Sequence, residues 1–298
     1  MLESRFTRLS MLLVLAPFAV AACAAETSDP GAADDKSADD KNTDEKIATE
    51  SAALTTGSFE WDQNLGHVTV MWPVSEGMCF LTGMSGHYQG TGENIHIEID
   101  NGYWVLTGAS QQQSVAGWAT CQAWSDLGGY GYGTEEWMAT SYGGNGCSWP
   151  WACGSSNYPG GPFTLWNGVN FCSLSYISGN FDGAGAWAET WWNGSTWMLE
   201  DNEDATGSYM TTGATCVGLK LSHNIAATGQ YGWTEGQAPV AMLPVNEAVC
   251  ALTEVQGGFR GAGEQVQISN FGGTWYLWGT SQQSGTGARA QCLYLNQR

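Results

Sequence analysis

The residues best suited to chemistry are Trp187, Glu189 and Trp191, an indole, a carboxylate and an indole at alternate positions. On a β-strand alternate side chains share a face, so the three would stand in a row with the tryptophans roughly 13 Å apart. Indoles stack on the apolar faces of sugar rings and a carboxylate between them accepts hydrogen bonds from hydroxyls, which makes the row a candidate saccharide site. Trp149 and Trp151, in the short segment bounded by Cys147 and Cys153, belong to the same constellation, either extending the site or covering the strand. Downstream, Glu200, Asp201, Glu203 and Asp204 offer oxygen ligands of the kind calcium takes, although without the spacing or glycine of an EF-hand loop. Calcium is the only cofactor the sequence suggests.

For catalysis the chain offers little. It has no Gly-x-Ser-x-Gly elbow, no His-Glu-x-x-His and no phosphate-binding glycine loop before a helix. Glu189 with one carboxylate of the acidic cluster would make a glycosidase pair if the two stood about 5 to 10 Å apart. The expectation is nevertheless a binding protein and not an enzyme.

The candidate row lies in the second of three internal copies. In the third, Cys250 is followed by Gly257, Phe259, Gly261 and Gly263, then Trp275 and Cys292. In the first, Cys79 is followed by Gly86, Tyr88, Gly90 and Gly92, then Trp104 and Cys121, at identical spacing. In the second, Cys172 is followed by Gly179, Phe181, Gly183 and Gly185, then Trp197 and Cys216. Self-similarity of this kind marks a repeated supersecondary unit. Alternating apolar and polar runs make each unit all-β, with strands expected near 59–62, 67–72, 78–83, 93–99, 103–107 and 115–123 in the first copy. Asn101-Gly102 supplies a hairpin turn.

The expected architecture is three tandem disulfide-stapled β modules, sandwich- or barrel-like, in a row or closed into a pseudo-threefold ring. They occupy 57–126, 127–228 and 229–298, the second preceded by a cysteine-loop insertion at about 127–163. Overlaying the copies by face buries Ile95, Ile97 and Ile99 with Ala188, Thr190 and Trp192 and with Val266 and Ile268. Asn94, His96 and Glu98, and Gln265, Gln267 and Ser269, then face solvent where the middle copy has Trp187, Glu189 and Trp191. Trp104, Trp197 and Trp275 read as core, and Glu93 and Glu264 as turn caps or water-facing groups.

A net charge of −20, with only Lys220, Arg260, Arg289 and Arg298 as cations after residue 56, excludes nucleic-acid binding and argues against anionic membrane surfaces as partners. Arg5 and Arg8 precede an apolar run from Met11 to Ala22, too short for a stable span but suited to an export signal. The run ends Val20-Ala21-Ala22-Cys23, which resembles the lipobox of bacterial lipoproteins. That resemblance covers the first two dozen residues and implies a signal peptide at 1–22, diacylation of Cys23 and sorting to the outer membrane, since Ala24 follows. Residues 23–56, with repeated Ala-Asp-Asp-Lys and no aromatic residue, read as a disordered acidic tether. Eight cysteines remain: matching positions in the copies pair Cys79 with Cys121, Cys172 with Cys216 and Cys250 with Cys292, and the remaining two, Cys147 and Cys153, are expected to close a local loop in the insertion. The expected partners are therefore a glycan or another cell-envelope surface, with the membrane engaged only through the lipid.

Overall fold

A computed structural model of the chain describes residues 56–64, 66, 68–90, 92–112, 114–127, 134–141, 163–164, 171–195, 197–202, 210–217 and 227–295. Cys23, the tether up to residue 55, the Cys147 and Cys153 pair, Trp149, Trp151, Glu203 and Asp204 lie outside the described residues. Those described form strands and no helix. Module 1 contributes β1 (Thr56–Asp62), β2 (Thr69–Pro73), β3 (Gly77–Ser85), β4 (Asn94–Asp100), β5 (Tyr103–Ala109) and β6 (Ala116–Ala123). Module 2 contributes β7 (Thr134–Ser141), β8 (Phe163–Thr164), β9 (Phe171–Gly179), β10 (Trp187–Trp192), β11 (Trp197–Asn202) and β12 (Met210–Val217). Module 3 contributes β13 (Tyr231–Thr234), β14 (Val240–Pro244), β15 (Ala248–Gln256), β16 (Gln265–Phe271), β17 (Thr274–Thr280) and β18 (Gly287–Tyr294). Part of the expected insertion is thus the module's own first strand, since β7 pairs with β12 as β1 pairs with β6.

Each module divides its six strands between two sheets. Sheet I runs β1-β6-β3-β16-β17-β14, sheet II runs β2-β5-β4-β9-β12-β7, and sheet III runs β13-β18-β15-β10-β11-β8. Sheet I therefore joins modules 1 and 3, sheet II joins 1 and 2, and sheet III joins 2 and 3. Every module is hydrogen-bonded to both others, so the three close into a ring.

The glycine run of each copy is what closes it. Tyr88 N–H donates to Phe259 O at 2.7 Å, Phe259 N–H to Phe181 O at 2.8 Å, and Phe181 N–H to Tyr88 O at 2.9 Å. The three rings meet edge to face with centroids 5.8 to 6.2 Å apart, all fully buried. The run carries the chain from the end of β3, β9 or β15 across this hub into β4, β10 or β16 of the next sheet. The repeat signature is therefore the pseudo-threefold axis.

Within a module the disulfides bridge directly opposed residues of neighbouring strands, Cys79 with Cys121, Cys172 with Cys216 and Cys250 with Cys292. Each encloses two of the three strands its module lends to the adjoining sheet, and loops of 42 to 44 residues gain roughly 3 to 4 kcal/mol from such closure. Trp104 and Trp275 are buried and donate their indole N–H to Gly77 O and Ala248 O, tying one sheet of the module to the other. At the β4–β5 hairpin, Asn101 and Gly102 have φ of 50° and 83°, the conformation a two-residue type I′ turn requires.

Two expectations are corrected, one by strand position and one by a turn. Ile95, Ile97, Ala188 and Thr190 are buried, but Ile99 and Trp192 are exposed, because they sit at hairpin ends that project past the core. Glu93 and Glu264 are buried, their carboxylates folded back over Gly90 and Gly261, where a glycine leaves room for them.

Tyr88 differs from its sister phenylalanines by a hydroxyl that is buried without a hydrogen-bond partner among the described residues. Burial, aided by the charge of Glu93, pushes its ionisation far up, so the phenol stays neutral. Tyr88→Phe should leave the hub intact and remove the desolvated oxygen. A gain of about 1 kcal/mol is expected in urea unfolding, and a loss of stability would show that the hydroxyl has a partner.

Candidate functional site

Sheet III is built where β10 of module 2 meets β15 of module 3. Trp187 stands opposite Gln256, Ala188 opposite Val255 and Glu189 opposite Glu254. On the other side of β10, Glu189 faces Glu200 and Trp191 faces Met198 on β11. Beyond β15, Glu254 is paired with Arg289 on β18. Ala188 and Thr190 are fully buried between half-buried Trp187, Glu189 and Trp191, so the indole-carboxylate-indole row occupies the outer face of the sheet.

Across the strands a second row crosses the first at Glu189, formed by Arg289, Glu254, Glu189 and Glu200. Arg289 Nη1 donates to Glu189 Oε1 at 3.2 Å and lies 2.8 Å from Glu254 Oε2. One guanidinium thus serves two carboxyls that directly oppose each other, a third carboxyl standing alongside. The consequence is incomplete charge compensation in a partly dehydrated place. Burial holds Glu254 at about 7 instead of the ordinary 4.5, the neighbouring Glu189 charge adding to the rise and Arg289 opposing it. Glu189 is also raised, chiefly by burial and further by Glu200, while Arg289 and Gln230 pull it back.

Of the predicted acidic cluster, Glu200 and Asp201 lie on β11. They alternate, Glu200 outward beside Glu189 and Asp201 buried opposite Ala188, so the two side chains cannot hold one cation together. No group of three metal-ligating side chains occurs among the described residues. Glu254 and Arg289 were missed by the reading of module 2 in isolation. Their signal was present in the overlay: where module 3 has Glu254 and Arg289, module 1 has Gly83 and Trp118 and module 2 has Tyr176 and Gly213.

No protein-family model matches the chain, and comparison with curated proteins and with solved structures gave no match either.

Proposed function

We propose that the ring is the carbohydrate-binding head of an exported lipoprotein, held at the outer membrane or cell surface by a lipid on Cys23 and the acidic tether of residues 23–56. The observation that carries this reading is the outward pair Trp187 and Trp191 flanking Glu189, with Arg289 at its carboxylate. Half-buried indoles keep a fixed face toward water, and the guanidinium and carboxylates supply donors and acceptors for hydroxyls between them. Three in-register disulfides suit a chain that leaves the reducing cytoplasm.

A glycan array probed with the full-length protein tests the idea. Binding is expected, and Trp187→Ala or Trp191→Ala should weaken it by about tenfold or more. An array without hits, or wild-type affinity in both variants, would sink the reading in favour of a structural envelope protein that packs against other proteins.

A second reading draws on the two carboxyls at Arg289. Contacts of 3.2 and 2.8 Å to one nitrogen keep Glu189 Oε1 and Glu254 Oε2 within about 6 Å, in the range of glycosidase pairs. Glu254, protonated near neutrality, would be the acid and Glu189 the partner carboxylate. Under that reading Glu189→Gln abolishes polysaccharide turnover while binding survives. Turnover unchanged in this variant excludes it.

A further inference from the structure

The three seams between modules are built alike, yet their outer faces differ. At each seam the register aligns four outward positions, one on each of four adjacent strands. In sheet III these are Arg289, Glu254, Glu189 and Glu200. In sheet II they are Gly213, Tyr176, His96 and Thr107, with the His96 and Tyr176 rings 5.0 Å apart. In sheet I they are Trp118, Gly83, Gln267 and Trp278. The inward neighbours Ile95, Ala188 and Val266 are buried in all three, so the core does not dictate what stands outside.

We propose that sheet I carries a second saccharide site, a strip walled by Trp118 and Trp278 and floored by the half-exposed amides Gln265 and Gln267, that takes an uncharged glycan chain lying across the strands. It shares the ligand class proposed above but none of its residues.

The geometry of the strip supports this assignment. Three interstrand gaps separate the two tryptophans, about 14 Å, a span suited to a short oligosaccharide with a ring stacked at each end. Both indoles are partly exposed on an outer face where Trp is otherwise unneeded. A Cβ on Gly83 would come 3.0 Å from Trp118 Cε3, Gln267 Cγ and Val266 O, so the glycine leaves room for the indole and the amide to lie close over the strand. Gln265 Nε2 donates to Gln267 Oε1 at 2.8 Å, and Trp278 Nε1 donates to Ser269 Oγ at 3.0 Å, which holds the amides and the indole in place. Phe271, exposed at the hairpin end, packs on Tyr276 and Trp278 and extends the aromatic wall.

Charge selects the ligand. The positions between the tryptophans, Gly83, Ser85, Gln265 and Gln267, are neutral, and the nearest carboxylate in the row, Glu60, lies beyond Trp118 on β1. Primary amides donate and accept, matching hydroxyls without requiring a counter-charge. The equivalent row of sheet III, with three carboxyls and one guanidinium, offers no such surface.

The test uses the full chain in detergent, with cellohexaose, laminarihexaose and chitohexaose as neutral probes and hexagalacturonate as the anionic comparator, read by calorimetry and tryptophan fluorescence. At least one neutral hexaose should bind more tightly than hexagalacturonate. Its affinity should fall about tenfold or more in Trp118→Ala and in Trp278→Ala, fall several-fold in Gln267→Ala, and stay unchanged in Tyr103→Ala, an exposed aromatic of sheet II that belongs to neither site. Gln267→Ala disturbs packing least and decides the matter if a tryptophan variant fails to fold. Wild-type protein that binds none of the neutral probes overturns the proposal, as does undiminished affinity in folded Trp118→Ala, Trp278→Ala and Gln267→Ala. Binding lost in Trp187→Ala but kept in Trp118→Ala removes the second site and leaves the first.

Discussion

Gly257→Ala should destabilise the ring by at least about 3 kcal/mol, and Gly194→Ala by about 1 to 2 kcal/mol, although the two glycines have nearly the same backbone conformation. Their φ values are 95° and 98°, so an L side chain is strained at either. The difference is in what a new methyl would meet. At Gly194, in the β10–β11 hairpin, nothing lies within 4 Å. At Gly257 a Cβ falls 2.5 Å from Gly285 O and from the backbone N and Cα of Thr286. Those atoms are backbone and cannot rotate away. Gly257 also donates its N–H to Ala186 O across the seam at 2.7 Å, so a shift there pulls modules 2 and 3 apart beside the hub. Urea unfolding of both variants reads the comparison directly. Equal losses would mean that the hub relaxes freely and is not the keystone of the ring. Gly86, with φ of 107° and a Cβ position 2.4 Å from Ser114 O, should behave as Gly257 does.

The same glycines show where sequence reasoning reaches and where it stops. Their recurrence with a cysteine, an aromatic and a tryptophan was enough to count three modules, pair their disulfides and place most strands. What recurrence could not reveal is that the run is a crossing point. Alternation along β4 tells which side chains share a face, but nothing local tells that β4 pairs with β9 of the next module. That pairing joins residues some eighty positions apart and is fixed by the hub. A module-by-module reading therefore reaches the stapled, sandwich-like all-β units and the possible threefold ring, but not the sharing of each sheet between two modules.

The candidate site was half legible for the same reason. Trp187, Glu189 and Trp191 lie on one strand, so their common face followed from a period of two. Glu254 and Arg289 reach Glu189 only through the β10–β15 seam. Asp201 does not join Glu200 at one cation because β11 continues through the start of the acidic run and turns alternate carboxyls to opposite sides. Ile99 and Trp192 extended a correct alternation beyond the point where there is core to face.

The seam carboxyl gives the second large effect. Glu254 holds its proton up to about 7 in the folded ring against an ordinary 4.5, because burial disfavours the charge and Glu189 repels it, with Arg289 compensating only in part. The folded state then binds this proton more tightly than the unfolded chain, so the stability it contributes is fully present below about 4.5 and is lost as pH rises toward 7. The separation corresponds to on the order of 3 kcal/mol. Glu254→Gln keeps the shape and cannot ionise, so the difference in unfolding free energy between variant and wild type should be small at pH 4.5 and grow in favour of the variant up to pH 8. Part of the gain is offset by the lost attraction to Arg289, which is then left to Glu189 alone. Because the two carboxyls titrate as a pair, Glu189→Gln should also flatten the profile, by relieving the repulsion that keeps Glu254 protonated. Urea unfolding at intervals from pH 4.5 to 8 measures both. A variant-minus-wild-type difference that does not change with pH would mean that Arg289 fully neutralises the seam, and the row would then present a fixed salt bridge to any ligand instead of a proton held near neutrality.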